Sequence, residues 1–236
     1  MCIRDSAYFV LNGELQRVDD AVTYDDEDGI FVPSDPVVVT DTIYVASEIV
    51  VFDDKIFMRA SDGVGGELYS YDGANFVLEA DIASPGASNP QRLTVVGDAL
   101  YFAASIAVDN EQVFRLDANG WIAVTSYAGG SYWYTYGDRL FMEVGGDLAR
   151  LARTGTGADL LNVGPDSDPE ILGAHGGTVY IAATVAAQGR ELVVWPDGAS
   201  PQVYDLVPGP NGSFPSGGVD TDDGFVFAAL DGAGIY

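Results

Sequence analysis

The sequence predicts an all-β fold assembled from repeated four-stranded units. Glycine (29), tyrosine (13) and phenylalanine (11) are abundant among the 236 residues, a composition typical of strands and tight turns. Short runs of Val, Ile, Tyr and Phe alternate with clusters of Gly, Asp, Asn, Pro and Ser. Segments with a helical period are almost absent, and even the best of them, 147–153, alternates equally well as a strand.

One short phrase, a turn followed by a strand with aromatic residues, occurs five times. Its marker positions are spaced by 44, 40, 39 and 46 residues and are Phe57, Tyr101, Phe141, Tyr180 and Val226. A period of about 40–50 residues is typical of propeller blades. We therefore predict a β-propeller of about five four-stranded blades, which could also be an incomplete or open array.

Each period is expected to hold four strands in the same order. In the second period the strands cover 92–96, 100–104, 112–116 and 121–125. A Gly-Asp pair joins the first two strands, because a two-residue hairpin turn needs residues that accept a positive φ. One such unit is too small to bury both of its faces, so it needs neighbours.

The repeat is incomplete at both ends of the chain. Residues 7–20 align with the third and fourth strands of a blade, and the C-terminus stops where a third strand is expected to begin. Either 7–20 completes the last blade and closes a ring, or the chain is a piece of a longer array, which is the interpretation we favour. Residues 1–6 match no part of the repeat and are interpreted as non-native, which leaves 7–236 as a single repeat domain.

Residues 21–45 fit the period worst and are interpreted as an irregular insertion. An acidic run at 25–29, followed by the apolar runs 30–33 and 37–39, could be an extra hairpin. Pro33 and Pro36 would confine that hairpin to an edge or a loop, because proline cannot donate to a strand ladder.

Two copies of the repeat point to a known family. Residues 66–73 read Gly-Glu-Leu-Tyr-Ser-Tyr-Asp-Gly, and an Asp-Ile, a Pro-Gly, serines and a proline follow by residue 90. The second copy is 189–198 followed by 204–210, while 111–117 and 146–151 are degenerate copies. These segments resemble the ELWxxDGT repeat of bacterial β-propeller proteins over about 46–236. The resemblance implies a propeller fold and an extracellular or cell-surface location.

The charge of the chain excludes several partners. The sequence has 36 acidic and 10 basic residues, a formal net charge of −26, and its only lysine is Lys55. No basic patch can neutralise a run of phosphates, so nucleic acid is not expected to bind, and an anionic membrane surface would repel the chain. No apolar run reaches the roughly 18 residues of a membrane span, so no insertion is expected.

Few residues suit nucleophilic or metal catalysis. The only histidine, His175, lies in a Gly-Ala-His-Gly-Gly segment and is interpreted as a hairpin-turn residue that tolerates unusual φ. The only cysteine is Cys2, which excludes an internal disulfide and a cysteine-based zinc site. We therefore expect neither a catalytic residue nor a bound cofactor.

Weak Ca²⁺ binding is the one metal chemistry that the acidic loops allow, since this ion prefers carboxylate and carbonyl oxygens. The densest acidic loops are 25–29 and 219–224, and neither has the twelve-residue pattern that ends in a distal Glu. Solvated turn carboxylates are the favoured interpretation.

Two further patterns allow a glycan ligand. Glycosidases use paired carboxylates, and the predicted first strands of the blades offer only Glu48 and Glu170. Aromatic side chains, which suit sugar rings, cluster in one blade and its entry loop, at Trp121, Tyr127, Tyr132, Trp133, Tyr134 and Tyr136. Packing between blades is the favoured role for these aromatic residues.

The function predicted from these observations is a secreted or surface binding module without catalytic activity. Its rigid blades would present variable loops to a glycan or protein ligand. The alternative is a glycan-active enzyme that uses Glu48 and Glu170 or acidic residues of the loops.

Overall fold

The computed structural model describes most of the chain. The described residues are 2–3, 6–19, 22–25, 30–33, 35–39, 43–61, 63, 65–108, 110–125, 133–164 and 166–231. The chain divides into two compact units, Met1–Ala128 and Gly129–Tyr236. Regular structure in the described ranges consists of strands alone, and all pairs are antiparallel. The predicted all-β fold of four-stranded, blade-like sheets is thereby confirmed.

The first unit contains three four-stranded sheets and one separate hairpin. The first sheet has the order β1-β2-β3-β6 and consists of Cys2–Ile3, Ser6–Leu11, Glu14–Asp19 and Val37–Val38. The separate hairpin is formed by β4 and β5, Val22–Asp25 and Ile30–Pro33.

The N-terminal hairpin differs in position from the prediction. Strands β2 and β3 were expected as the outer pair of a blade, yet they lie in the middle of the first sheet. The reason is that β6 adds to the far side of β3, with Val38 opposite Gln16. Within the insertion β4 and β5 do form a hairpin, with Val22 opposite Pro33, but Val37–Val38, which was expected in the extra hairpin, pairs with β3 instead.

The other two sheets of the first unit follow the predicted four-strand pattern. The second sheet has the order β10-β9-β8-β7, with β7 to β10 at Tyr44–Phe52, Lys55–Ser61, Glu67–Tyr71 and Phe76–Ala80. The third runs from β11 to β14, at Gln91–Val96, Ala99–Ala107, Asn110–Asp117 and Gly120–Thr125. Apolar side chains between these two sheets form a core that includes Phe57, Leu68, Leu100, Phe102 and Phe114.

The second unit contains two four-stranded sheets and one two-stranded sheet. Strands β15 to β18 are Trp133–Tyr136, Arg139–Val144, Asp147–Leu151 and Ala158–Leu160. Strands β19 to β22 are Glu170–His175, Thr178–Val185, Gly189–Pro196 and Gln202–Tyr204. Strands β23 and β24, Ser216–Thr221 and Gly224–Ala228, pair with each other. The core of this unit centres on Phe141, Ile181 and Trp195.

A recurring contact fastens the loop between neighbouring sheets, and we call it the serine latch. Its serines, Ser88, Ser167 and Ser213, are fully buried. The residue after each serine has a positive φ and precedes a proline; these residues are Asn89, Asp168 and Phe214. Each serine carbonyl accepts a main-chain N–H seventeen positions later, from Ser105, Thr184 and Leu230 respectively.

The hydroxyl of each latch serine reaches the preceding sheet. Ser88 donates to the buried carboxylate of Glu67 in β9, and Ser213 donates to that of Glu191 in β21. The middle copy has no glutamate at this place, and Ser167 Oγ instead lies 3.3 Å from the carbonyl oxygen of Gly146. The latches therefore connect successive sheets through the glutamate of the ELWxxDGT-like segment wherever that glutamate is present.

Candidate functional site

A cavity of about 250 Å³ opens in the second unit where several hairpin turns meet. The turn from β15 to β16, the turn from β19 to β20 and the end of β21 contribute to its wall. We call it the turn-face cavity. Its polar and aromatic lining includes Tyr136, Asp138, Arg139, Phe141, Arg150, His175, Trp195, Asp197 and Asp220.

Arg139 and Asp197 form an ion pair at the wall of this cavity. Arg139 is the first residue of β16, and its Nη2 donates to Asp197 Oδ1 in the turn after β21. The N–H of Asp197 donates to the carbonyl of Gly177 at 2.9 Å, which holds the turn in place. Arg139 Nε is buried and has no hydrogen-bond partner among the described residues.

His175 and Asp220 form a second pair at the cavity. His175 Nδ1 lies 2.7 Å from Asp220 Oδ1, and the carboxylate can only accept, so Nδ1 carries the proton in this contact. His175 ends β19 in ordinary strand geometry, and the positive φ values of the turn belong to Gly176 and Gly177. The interpretation of His175 as a residue with unusual φ is therefore wrong. Two glycines beside it take up the strain at no steric cost.

Arg150 lines the cavity with a side chain that is almost completely buried. Its side chain is only 5% exposed, and its Nη1 donates to the Pro196 carbonyl at 2.9 Å. Its Nη2 donates to Asp159 Oδ2 at 3.0 Å. The guanidinium lies 4.5 Å from the ring centroid of Trp195, a cation–π distance. Because its donors are used within the protein, Arg150 has a structural role at the cavity.

Each carboxylate at the cavity is paired with a basic side chain. The three pairs are Asp138 with Arg153, Asp197 with Arg139, and Asp220 with His175. Three of the ten basic residues of the chain lie between 139 and 153. In a chain with a net charge of −26, this is a place where local charge is nearly balanced.

The first unit has a corresponding cleft of about 870 Å³, which we call the turn-face cleft. It is bordered by the turns from β7 to β8, from β11 to β12 and from β13 to β14. Its charged residues are Lys55, Asp53, Asp54, Glu79, Asp98 and Asp117. The lysine pairs with Glu79 at 3.0 Å, and Asp117 pairs with Arg115 at 3.2 Å. The carboxylates of Asp53, Asp54 and Asp98 still make this cleft acidic.

The two glutamates of the enzyme alternative are each engaged locally. Glu48 belongs to the first unit, and its Oε2 accepts a hydrogen bond from the main-chain N–H of Arg92 at 2.9 Å. Glu170 belongs to the second unit, and its Oε2 pairs with Arg190 Nη2 at 3.0 Å. Each contact joins the glutamate to a residue of another strand, Arg92 in β11 and Arg190 in β21.

The two acidic loops that were candidates for weak Ca²⁺ binding, 25–29 and 219–224, differ in how much of them the structure describes. In 219–224, Asp220 is used by His175, and Thr221 Oγ1 donates to the Gly224 carbonyl. Most of 25–29 lies outside the described residues. No group of three or more His, Cys, Asp or Glu side chains that could hold a metal is found in the described part of the chain. Weak Ca²⁺ binding stays a prediction.

The aromatic cluster is only partly described. Tyr127 and Tyr132 lie outside the described residues. Trp121 packs edge-on against Phe114 but remains 40% exposed. Tyr136 packs against the core of the second unit and also lines the turn-face cavity. Among the described members of this cluster, Tyr136 is the one that lines the candidate site.

Sequence reasoning missed Arg139 and Asp197, which are 58 positions apart. The one signal for them was the concentration of arginines at 139–153 in a chain that is otherwise poor in basic residues. The sequence predicted no membrane insertion, because no apolar run is long enough to span a bilayer. Within the described ranges of the structure, no helix is long and apolar enough to cross one.

A scan against protein-family models finds no match for the chain, and a search of curated proteins finds none. Solved structures with a related arrangement include a puromycin-hydrolyzing peptidase of Mycobacterium tuberculosis, with 11% identity and a TM-score of 0.44 over 98% of this chain. BamB from Moraxella catarrhalis has 13% identity and a TM-score of 0.42 over 99% of this chain. PorZ, a surface component of the type-IX secretion system of Porphyromonas gingivalis, has 13% identity and a TM-score of 0.30 over 98% of this chain.

This chain spans 44% of the peptidase, 66% of BamB and 36% of PorZ. At these TM-scores and identities the likeness says nothing about the activity of this chain.

Proposed function

We propose that the chain is a non-catalytic, secreted or cell-surface binding module built from ELWxxDGT-like repeats, and that it holds a glycan in the turn-face cavity. The observation that carries the proposal is the paired arrangement of Arg139 with Asp197 and of His175 with Asp220 around one small cavity. Such pairs present fixed donors and acceptors to neighbouring hydroxyl groups, and Tyr136 adds an aromatic surface.

The size of the cavity favours a small cyclic group. Drug-sized ligands occupy pockets of about 300–1,000 Å³, whereas this cavity holds about 250 Å³. A single sugar ring at the end or on a branch of a glycan suits that volume better than a folded protein surface does.

The lining supports binding in preference to turnover. No Ser, Thr or Cys side chain contributes to the cavity wall in the described part of the chain. The His175–Asp220 pair thus has no hydroxyl or thiol nucleophile of the serine-protease type beside it.

The repeat assignment is supported by the serine latches. Glu67 and Glu191 occupy the glutamate position of the two best ELWxxDGT-like segments, and both accept a hydrogen bond from a buried serine in the loop that follows. The expected extracellular or cell-surface location rests on that resemblance alone.

Isothermal titration of the full chain with a panel of soluble oligosaccharides tests the proposal. We expect saturable one-to-one binding to at least one of them, and a loss of about tenfold or more in affinity in His175→Ala, because the Asp220 pair and its fixed ring are removed. Arg190→Ala is the matched control: the Arg190 side chain is 17% exposed, against 20% for Arg139, and it does not line the cavity.

A reducing-end assay on the same mixtures separates binding from catalysis. We expect no new reducing ends. If hydrolysis is observed and Glu170→Gln abolishes it, the chain is a glycan-active enzyme and the binding-module proposal is wrong. If no oligosaccharide of the panel shows saturable binding, the glycan proposal is wrong.

A further inference from the structure

Arg59 differs from the other basic residues of the chain. Of the nine Lys and Arg side chains in the described ranges, eight form an ion pair with a carboxylate. Arg59, in β8, forms none, although the sequence contains 36 acidic residues. No hydrogen bond joins its guanidinium to a described residue either. Its donors are therefore available to a ligand.

The arginine at this position is not a requirement of the repeat. Arg59 comes two positions after the marker residue of its copy and lies opposite Leu68 of the third strand. Apolar residues of the third strand also lie opposite the corresponding residues of three other sheets. The residues at this position in the other four copies are Ala103, Glu143, Ala182 and Ala228. A four-stranded sheet of this kind thus forms without an arginine here, which favours a role for Arg59 other than folding.

Arg59 lines a cavity of about 260 Å³ in the first unit, which we call the Arg59 cavity. Its polar lining also includes Tyr44 of β7, Ser61 of β8 and Asn89, the residue after the latch serine Ser88. Arg59 is the only charged residue in the described lining. The nearby carboxylate of Glu67 is buried and accepts from Ser88.

The side chains of Arg59 and Asn89 converge over Gly66, which lies in the wall of the same cavity. A Cβ at position 66 would lie 2.8 Å from Asn89 Oδ1, 3.2 Å from Arg59 Cδ and 3.3 Å from Arg59 Cγ. The main-chain N–H of Asn89 donates to the Gly66 carbonyl at 2.8 Å, which fixes the latch loop at this place. A cationic and an amide side chain thus meet at one wall of the cavity.

We propose that the Arg59 cavity binds a small hydroxylated monocarboxylate, such as a sugar acid, and that the guanidinium of Arg59 holds the ligand carboxylate. This site goes beyond the proposed function, because it lies in the first unit, whereas the turn-face cavity lies in the second. A planar guanidinium can donate two parallel hydrogen bonds to a carboxylate, which a lysine ammonium cannot.

The other lining groups suit the hydroxyls and the ring of such a ligand. Ser61 Oγ accepts from the main-chain N–H of Gly63 at 3.1 Å, so its own hydrogen can be donated to a ligand hydroxyl. The amide of Asn89 can both donate and accept. Tyr44 is 65% exposed and adds an aromatic surface on which a sugar ring can pack.

The charge of the protein favours a ligand with a single negative charge. A net charge of −26 repels every anion that approaches the chain, and the repulsion grows with the charge of the ligand. One guanidinium offsets one carboxylate, whereas a divalent phosphate or a polyanion would be left with uncompensated charge. The small volume of the cavity likewise suits one ring.

The test compares two ligands of nearly the same shape, glucuronate and its neutral amide, glucuronamide. Each is titrated into the full ¹⁵N-labelled chain at low ionic strength, since salt screens exposed charges, and the main-chain amide signals of Ser61, Gly66 and Asn89 report on the cavity. We expect saturable shifts of these signals, with glucuronate bound about tenfold more tightly than glucuronamide. Inorganic phosphate should bind more weakly than glucuronate. Arg59→Gln should bind glucuronate and glucuronamide equally, because the cation is gone.

Arg153→Gln is the matched control, because it changes the net charge by the same amount in the second unit and should keep the preference for glucuronate. Thermal unfolding of each variant establishes that it is folded. Equal affinity of the wild-type protein for the two ligands, or no saturable shift at the three amides with either, would overturn the proposed site. Tighter binding of phosphate would overturn the carboxylate as its ligand, and a preference that survives in Arg59→Gln would overturn the role of Arg59. None of these outcomes bears on glycan binding in the turn-face cavity, which the oligosaccharide panel tests.

Discussion

The hydroxyl of Ser213 donates to Oε2 of Glu191, and both residues are fully buried. The main-chain N–H of Leu206 reaches the same oxygen at 3.1 Å, while Oε1 has no partner among the described residues. A buried carboxylate with so few donors depends strongly on each of them. We therefore expect the hydrogen bond from Ser213 to Glu191 to contribute measurably to the stability of the second unit.

Replacing Ser213 with alanine should destabilise the chain. The change removes a hydrogen bond to a buried charged group, so we expect the free energy of unfolding to fall by about 1.5–3 kcal/mol in urea denaturation. Thr221→Ala removes an exposed hydroxyl contact and should change it by no more than about 0.5 kcal/mol. Equal effects of the two variants would show that the latch hydroxyl is not important for stability.

Gly212→Ala should be more harmful than Gly198→Ala. Both glycines have φ near +70°, at +72° and +69°, so both variants incur a backbone cost of about 1 kcal/mol. A Cβ at 212 would also lie 2.4 Å from the main-chain nitrogen of Arg190, whereas a Cβ at 198 meets nothing within 4 Å. We expect the midpoint of thermal unfolding to fall clearly further for Gly212→Ala. A similar fall in both would mean that the loop moves away without cost.

Arg150→Met should destabilise the second unit although methionine can still pack on Trp195. The Pro196 carbonyl loses its donor from Arg150 and the cation–π contact disappears, a combined loss of about 1–3 kcal/mol. Arg153→Met is the control, because the Arg153 side chain is 51% exposed and its pair with Asp138 is worth at most about 1 kcal/mol. Urea denaturation measures both, and indistinguishable midpoints would contradict the structural role of Arg150.

Asp72 should titrate below its ordinary range. The main-chain N–H groups of Asn75 and Ala74 donate to its carboxylate at 2.7 and 2.8 Å, and these contacts lower the pKa of Asp72 below 3.8. Since the folded pKa is depressed, the contribution to stability is present above the unfolded pKa of about 3.9. It is lost as the pH falls through the folded pKa.

An NMR titration that follows the side-chain carboxyl carbon of Asp72 measures its pKa and checks this lowering directly. The pKa of Asp117, which the N–H of Asn119 lowers in the same way, serves as the internal comparison. Asp72→Asn should remove one acid-sensitive contribution, so its stability should approach that of wild type as the pH drops below about 4. A measured pKa of Asp72 at or above 3.8 would contradict the turn geometry.

Much of the fold follows from local patterns in the sequence. The third strand of the second period was predicted at 112–116 and is observed at Asn110–Asp117. The segment 147–153, which alone approached a helical pattern, forms the strand Asp147–Leu151. Alternation along a strand and the demand for positive φ in a two-residue turn act over a few neighbouring residues, so they can be read without a structure.

Contacts over long sequence separations could not be read in the same way. The prediction treated His175 as a turn residue, but its partner Asp220 is 45 positions away, in another sheet. The N-terminal hairpin was expected at the outside of a blade, and the pairing of β3 with Val37–Val38 placed it in the middle of a sheet.

The sequence by itself determined the strands, the turns and the all-β class of this protein, because these depend on neighbouring residues. Only the tertiary structure decided which charges meet. It placed Arg139 beside Asp197 and matched the carboxylates of one cavity with basic side chains, while the corresponding cleft remained acidic. The physical reason is that a charge is neutralised by whichever group the fold brings within a few ångströms, and that distance bears no relation to separation along the chain.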